Sequence, residues 1–116
     1  MSRSVLLQLA RDSIQEVLEA QNSIDKASLL IEHPLLEQNI PLSVRIYINN
    51  ELRGHSESLN PKYSLLQEII INAKKAAFED PNFSPLSTSE YLHLEIEITL
   101  HTTEGIMSEK DPAILQ

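Results

Sequence analysis

Residues 72–86 have the sequence NAKKAAFEDPNFSPL, and this stretch decides the fold. Ala76 and Ala77 favour a helix, and their small side chains let it approach a neighbouring element closely. Pro81 and Pro85 cannot continue that helix, and each favours extended backbone in the residue before it. The stretch therefore predicts the end of a helix followed by an ordered turn that leads into the next element.

Helices are predicted on both sides of the chain's centre. The helix that ends in this stretch is predicted to begin at Asn60 and Pro61, a capping side chain followed by proline at the first helical position. Its buried stripe is predicted to consist of Leu65, Leu66, Ile69, Ile70, Ala73, Ala76 and Ala77. Residues 5–18 repeat apolar side chains at three- and four-residue spacing, which predicts a second long helix. Residues 26–33 predict a short helix that ends before Pro34.

Three stretches have the alternation typical of strands. Residues 42–49 alternate apolar and polar side chains, and Asn49 and Asn50 tolerate the positive φ of a two-residue hairpin turn. Residues 51–55 are therefore predicted to return antiparallel to this strand. Residues 92–101 alternate apolar side chains with charged and polar ones over a longer run.

These elements predict an α+β fold. An antiparallel sheet, consisting of the hairpin plus a long C-terminal strand, is packed on one face by the two main helices. Ser87 and Glu90 have the spacing of a capping box and predict a single helical turn before the last strand. Residues 103–116 contain few apolar side chains and are predicted to form a loosely ordered tail.

Composition limits the classes of function. The chain has 116 residues, enough for one domain spanning residues 1–116, and a net charge of −8. Its nine basic residues are scattered singly apart from Lys74 and Lys75, whereas nucleic-acid binding needs clustered positive charge. The acidic surface favours solubility, and no nucleic-acid partner is expected.

Cysteine content and the N-terminal segment suggest a location. The chain has no cysteine, which excludes disulfides, thiolate metal sites and a cysteine nucleophile, and fits a reducing compartment. Arg11 and Asp12 interrupt the apolar residues near the N-terminus, so neither a signal peptide nor a membrane span is expected. We expect a cytoplasmic protein with no membrane partner and no cofactor.

Four segments carry a resemblance to a known family. They are Leu9-Ala10-Arg11, Glu51-Leu52-Arg53-Gly54, residues 72–86 and Leu94-Glu95-Ile96-Glu97-Ile98. With these segments in this order, the chain resembles the AMMECR-type domain family, also called AmmeMemoRadiSam system protein A. The resemblance implies an α+β fold and a protein partner, either a Memo-like protein or a radical SAM protein. It implies no particular reaction.

Two departures from the family pattern bear on function. The family's hairpin motif usually reads Leu-Arg-Gly-Cys-Ile-Gly, whereas this chain has His55 at the cysteine position and Glu57 at the second glycine position. Any thiol chemistry of the family is therefore absent here. Family members also typically continue through further sheet and helix, so we expect an uncovered sheet edge and a homodimer or a partner-dependent half domain.

The hairpin also contains the main candidate binding residues. Arg53 and His55 are two apart in a predicted strand and are expected to share a face, with Ser58 close by. They could bind an anion, because arginine offers a planar fork and histidine exchanges a proton near neutral pH. The alternative is that Arg53 pairs with an acidic neighbour while His55 faces solvent. Gly54 predicts a bulge or a close backbone approach in either case.

The turn and the preceding helix add three more candidates. Asp80 is expected to accept backbone amides within the turn, and Phe83 to fill the core between helix and strand. A recognition surface is the alternative role for both residues. Asn72 could join that surface or bond to the backbone.

The last predicted strand offers a weaker possibility of metal binding. His93, Glu95 and Glu97 share one face, but alternate side chains on a strand lie roughly 7 Å apart, too wide for one small ion without further groups. A solvated polar face is the favoured interpretation.

Two functions are left by these arguments. The favoured one is a non-catalytic accessory or protein-interaction module linked to a Memo-like or radical SAM system. The alternative is a small anion-binding protein or enzyme that uses Arg53 and His55. A concave pocket that joins these two residues to Asn72 or Asp80 would favour the alternative.

Overall fold

The elements of the fold form one sheet and the helices that cover one of its faces. A computed structural model describes residues 3–115. In chain order the elements are α1 (Val5–Glu19), α2 (Lys26–Glu32), a 3-10 helix (Pro34–Glu37), β1 (Leu42–Ile48), β2 (Glu51–Ser58), α3 (Leu65–Phe78), α4 (Thr88–Tyr91), β3 (Leu94–Thr102) and β4 (Gly105–Asp111). The predicted α+β fold is confirmed.

The sheet has four antiparallel strands in the order β2-β1-β3-β4. The central strands β1 and β3 pair along their full length, with Val44 opposite Ile98, and both residues are buried. Helices α1 and α3 pack against each other and against this apolar face. The core therefore lies between one face of the sheet and the two long helices, as the alternation predicts.

The β1–β2 connection confirms the predicted hairpin. Asn49 and Asn50 have φ values of 52° and 64°, the left-handed pair that a tight hairpin turn requires. Strand β2 continues to Ser58, three residues beyond the predicted end. Its pairing with β1 shifts register between Ile46 and Tyr47, which marks a β-bulge.

The start of α3 differs from the prediction. The helix begins at Leu65, and the side chain of Ser64 accepts the backbone amide of Gln67 as its N-cap. Asn60 and Pro61 lie in the loop that precedes the helix. All seven residues of the predicted apolar stripe are nevertheless buried in the core. The pattern therefore located the buried face correctly but not the first turn.

Strand β4 corrects the expectation of a loosely ordered tail. Residues Gly105–Asp111 pair antiparallel with β3, with Asp111 opposite Ile96 and Gly105 opposite Thr102. Most of this strand is exposed, so its sequence GIMSEKD shows no alternation that would predict it. The buried Arg11 side chain donates hydrogen bonds to Asp111 and to the carbonyl oxygens of Leu94 and Pro112, and this fixes β4 beside α1.

Within residues 3–115, every helix is too short or too polar to cross a lipid bilayer.

Candidate functional site

The seven candidate residues lie in two adjoining groups along β2. We call the first group the hairpin–turn junction: Arg53, Gly54, His55, Asp80 and Phe83, together with Glu90. We call the second group the serine–asparagine network: Ser56, Ser58, Glu68 and Asn72. The sequence prediction missed Glu68 entirely and gave Glu90 a role only in helix capping.

Arg53 donates hydrogen bonds to residues of the connection between α3 and β3. Its Nε lies 2.9 Å from Glu90 Oε2, and its Nη2 donates to Glu90 Oε1 at 3.2 Å and to the carbonyl oxygen of Ser84 at 2.8 Å. The guanidinium also lies 5.6 Å from the centre of the Phe83 ring. Only 12% of the Arg53 side chain is exposed. Arg53 therefore has the acidic neighbour that the structural alternative requires.

Glu90 serves two partners at once. It forms a capping box with Ser87 at the start of α4, as predicted, while its carboxylate also receives the Arg53 guanidinium. Hydrogen bonds from Arg53, and then from Ser87, lower the pKa of Glu90 to about 2, although burial acts in the opposite direction. The carboxylate is therefore ionised throughout the physiological pH range.

A β-bulge at Arg53 changes the geometry predicted for this strand. Gly54 is opposite Ile46 and Leu52 is opposite Tyr47, so Arg53 is the extra residue. The expectation that Arg53 and His55 share a face assumes a regular strand, in which alternate side chains point to the same side. The extra residue interrupts this alternation. Their side chains also take different partners, since the His55 imidazole lies 3.8 Å from the Glu57 carboxylate.

Gly54 allows helix α3 to approach β2 directly. A Cβ atom at this position would overlap the carbonyl oxygen of Ala76 and would lie 2.9 Å from its carbonyl carbon. The small side chain of Ala76 faces the core at the same level of the helix. Both features expected around Gly54, a bulge and a close backbone approach, are thus present within two residues of chain.

Asp80 ties the turn to the outer edge of β2. Its Oδ1 accepts the backbone amide of Asn82 at 2.9 Å, and its Oδ2 accepts the backbone amide of His55 at 3.0 Å. These amides, Asn82 first, hold the pKa of Asp80 below its usual range. The expected role of Asp80 within the turn is therefore present, with an additional contact to the strand.

Phe83 differs from its expected place in the core. It is half-buried beneath the Arg53 guanidinium, and Leu86, three residues later, is the side chain that enters the core, with 4% of it exposed. The two prolines around Phe83 hold a surface turn in which the ring packs on a cation. The Nε2 atom of His55 is buried and has no hydrogen-bond partner among the described residues.

Glu68 organises the serine–asparagine network. This carboxylate is 4% exposed, and its Oε1 accepts the hydroxyl of Ser58 at 2.8 Å. Its Oε2 accepts the backbone amides of Lys62 and Tyr63 at 3.0 Å and 3.1 Å. Glu68 lies in the first turn of α3, where carboxylates complement free amides and the helix dipole, and this position was the available sequence signal.

Asn72 joins the same network from one helical turn further along. Its Nδ2 donates to Ser58 Oγ at 3.0 Å and to the carbonyl oxygen of Glu68 at 2.8 Å. Its Oδ1 accepts the hydroxyl of Ser56 at 2.6 Å. The side chain is 1% exposed, so Asn72 links α3 to β2 and has no free group for a ligand.

Side chains on the polar face of β3 bond to neighbouring parts of the chain. Glu97 accepts the hydroxyl of Tyr47 at 3.2 Å, and burial followed by the nearby Glu97 charge raises the pKa of that tyrosine. His93 Nδ1 lies 3.0 Å from the carbonyl oxygen of Leu115. Among the described residues, no three His, Cys, Asp or Glu side chains are arranged to hold a metal ion.

The arrangement of the candidate residues joins secondary-structure elements. The junction fastens residues 79–91 to β2, and the network fastens the first turns of α3 to the same strand. Apart from Arg53 Nη1 and His55 Nε2, the buried polar side-chain atoms of these two groups have hydrogen-bond partners, which rigidifies this part of the fold.

Comparison with known proteins identifies the family. The AMMECR1 family model matches residues 7–113. The chain belongs to the AMMECR1 family. Its members among the curated proteins include Protein SSO0193 of Saccharolobus solfataricus, which is 31% identical over 112 residues, or 92% of this chain and 48% of that protein. Protein NEQ441 of Nanoarchaeum equitans is 40% identical over 55 residues, covering 47% of this chain and 31% of that protein.

A solved structure shares the fold. The crystal structure of the uncharacterized protein PH0010 from Pyrococcus horikoshii matches with a TM-score of 0.71 and 28% identity, over 82% of this chain and 48% of that chain. This AMMECR1 chain therefore spans about half the length of Protein SSO0193 and of PH0010.

Proposed function

We propose that this AMMECR1-family chain is a non-catalytic accessory module that works by binding protein, in a cytoplasmic system with a Memo-like or radical SAM protein. The resemblance described above suggests the partners, and the state of the candidate site supports the absence of catalysis. The observation that carries the proposal is the Arg53–Glu90 pair, in which the cation expected to bind an anion is already neutralised.

The remaining candidates support the same interpretation. Asp80 is occupied by two backbone amides, and Asn72 is surrounded by Ser56, Ser58 and Glu68. A general acid or base needs a proton-exchanging group within reach of a substrate. The carboxylate of Asp80 and the amide of Asn72 thus bond to other groups of this chain and are not free to act on a substrate.

Reconstitution with the proposed partners tests this function. The chain, tagged and expressed at native level, is purified from its own cells, and the Memo-like and radical SAM proteins of those cells are then produced separately for direct binding measurements. We expect one of them to bind with a dissociation constant in the range of about 0.1–10 μM typical of regulated protein contacts. Recovery of a stoichiometric small molecule with no binding to either protein would refute the proposal.

The anion-binding alternative is favoured by one specific observation. Arg53 Nη1 and His55 Nε2 are both buried and without hydrogen-bond partners among the described residues. An anion reaching Arg53 Nη1 would have to displace the turn that holds Glu90 and Ser84. Calorimetric titration with phosphate tests this alternative, since Arg53→Gln would abolish binding while Arg45→Gln, on the neighbouring strand, would preserve it. Absence of phosphate binding by the unmodified protein excludes this role for phosphate.

A further inference from the structure

A groove of about 450 Å³ opens between helix α3 and the loop that joins it to β2. We call it the lysine groove, after Lys62 of the loop and Lys75 of the helix, which both line it. At its base lies Glu68, which is 4% exposed and accepts the Ser58 hydroxyl. None of the roles assigned above to the candidate residues uses this groove.

Apolar side chains form part of the lining. Leu59 and Tyr63 belong to the loop, and each is 51% exposed. Ile71 is partly buried and lines the groove from α3, one helical turn before Lys75 on the same face of the helix. Exposed apolar side chains gathered at one concavity indicate a binding surface. The lysine groove can therefore receive an apolar side chain from a ligand.

The two lysines of the groove make no ion pair within the described part of the chain. Of the nine basic residues, five lie within 4.0 Å of a carboxylate oxygen, and these are Arg3, Arg11, Arg53, Lys74 and Lys110. Lys62 and Lys75 are not among them, and both are exposed. Their ammonium groups are thus available to an anionic ligand.

The acidic residues near the groove do not cancel these charges. Among the described residues, Glu68 is the one acidic residue in the lining, and its carboxylate already accepts the Ser58 hydroxyl and two backbone amides. Glu57 precedes Ser58 but points to the opposite face of β2, because successive side chains of a strand alternate. Glu37 and Glu79, which belong to adjoining segments, do not line the groove. The lysine groove therefore presents net positive charge beside apolar side chains.

We propose that the lysine groove binds a short acidic segment of a partner protein, with an apolar side chain between its carboxylates. Carboxylates would pair with Lys62 and Lys75, while the apolar side chain would pack on Leu59 and Tyr63. The net charge of −8 opposes a long polyanion such as nucleic acid. Charges farther away than about 8 Å are screened at physiological ionic strength, so a short segment responds mainly to the two nearby lysines. This inference rests on the proposed function as a protein-binding module.

Titration of the isotope-labelled, unmodified protein with two synthetic peptides tests the site by NMR. One peptide has glutamates on both sides of a single leucine, and the other has glutamines in their place. We expect the acidic peptide to shift the amide resonances of residues 58–63 and those around Lys75, with a dissociation constant of about 10–300 μM, because small contacts bind weakly. Absence of these shifts at about 2 mM acidic peptide, or equal binding of the glutamine peptide, would overturn the proposal.

Lysine substitutions test whether the charges of the groove act specifically. Lys62→Gln and Lys75→Gln should each raise the dissociation constant about threefold, and about tenfold together. Lys26→Gln is the matched control, because Lys26 is an exposed lysine of α2 that forms no ion pair with a described residue. It should leave the dissociation constant unchanged. Equal weakening by all three single substitutions would indicate a general charge effect and would overturn the proposal.

Competing ligands and folding controls complete the test. Circular dichroism verifies the fold of each variant, and if the double variant has lost its fold, the single variants decide. A short single-stranded DNA of equal charge that displaces the peptide as well as free peptide does would overturn the proposal in favour of a general anion site. These titrations use no Memo-like or radical SAM protein, so their failure contradicts the lysine groove alone, whereas failure of those proteins to bind contradicts the partners named in the proposed function.

Discussion

At the scale of single residues, the carboxylates near β2 each accept hydrogen bonds from more than one group. Glu90 caps α4 and also neutralises Arg53, and Glu68 receives two backbone amides and a hydroxyl. The capping box was predictable because both of its members lie three residues apart in sequence. The contact to Arg53 was not, because it joins residues 37 positions apart.

Replacing Glu90 should change how stability depends on pH. Its pKa is lowered to about 2 in the folded protein from an ordinary value of 4.5, so ionised Glu90 stabilises the fold above that ordinary value. This stabilisation is lost as the pH falls through 4.5 towards 2. Between about pH 5 and pH 2, the unmodified protein should lose roughly 1–2 kcal/mol more than Glu90→Gln, a figure reduced because a third of the side chain is exposed.

Urea unfolding at several pH values measures this difference. Glu32→Gln serves as the control, because it removes one negative charge from the exposed end of α2 without altering the Arg53 contact. Its curve of unfolding free energy against pH should run parallel to that of the unmodified protein. If Glu90→Gln also runs parallel, the ion pair contributes nothing to stability.

Removing the Glu68 carboxylate should destabilise the loop before α3. Glu68→Ala leaves the amides of Lys62 and Tyr63 unpaired and withdraws a partner from Ser58 and Asn72. We expect a loss of about 2–3 kcal/mol in the free energy of unfolding and faster hydrogen exchange at those two amides. The same substitution at exposed Glu32 should change stability by less than about 0.5 kcal/mol. Unchanged exchange at both amides would contradict the assigned role.

At the scale of elements, the sequence located those that have alternating burial or a local helix boundary signal, and it missed the strand that has neither. Helix α1, the β1–β2 hairpin and strand β3 each have one buried and one exposed face, and all three were located to within a few residues. The start of α3 was misplaced because Asn60-Pro61 resembles a helix cap, while Ser64 performs the capping. Strand β4 was missed because most of its residues are exposed.

The contact between α3 and β2 depends on Gly54. Gly54→Ala would force a methyl group into the carbonyl of Ala76, and since both groups belong to packed backbone, the helix or the strand must move. We expect a loss of about 2–4 kcal/mol in the free energy of unfolding, measured with urea. Gly105→Ala provides the comparison, because nothing lies within 4 Å there and only its φ of +136° opposes a side chain.

That comparison separates two causes of glycine dependence. Gly105→Ala should cost about 1 kcal/mol through backbone strain alone, clearly less than Gly54→Ala. Equal losses for the two variants would indicate that helix approach is not the constraint at Gly54.

At the scale of the whole molecule, long-range polar contacts connect the ends of the chain. Arg11 and Asp111 are 100 residues apart in sequence and hold α1 against β4. A buried arginine in an apolar helix face gives no local indication of its partner, so the sequence predicted the α+β class but not this fourth strand. The order of strands in the sheet likewise depends on pairings that no local pattern specifies.

Substitution of Arg11 should loosen β4 more than substitution of Arg3, which contacts the same carboxylate. The Arg11 side chain is 1% exposed and that of Arg3 is 28% exposed. Arg11→Met leaves a buried charge with one fewer partner and should cost about 2–4 kcal/mol, whereas Arg3→Met should cost less than about 1 kcal/mol. Hydrogen exchange of the β4 amides should accelerate only in Arg11→Met. Similar exchange in the two variants would show that β4 is held by its pairing with β3 alone.

The contact between Asp80 and the outer amide of His55 also limits how large an assembly can grow. A sheet with two exposed edges can add copies at both ends and extend into a filament, whereas a sheet with one closed edge can join only once. At the β2 edge, Asp80 takes the outer amide of His55, and the bulge at Arg53 distorts the strand beside it. A short turn that fastens one strand edge thus hinders growth at one of the two ends where such a filament would extend.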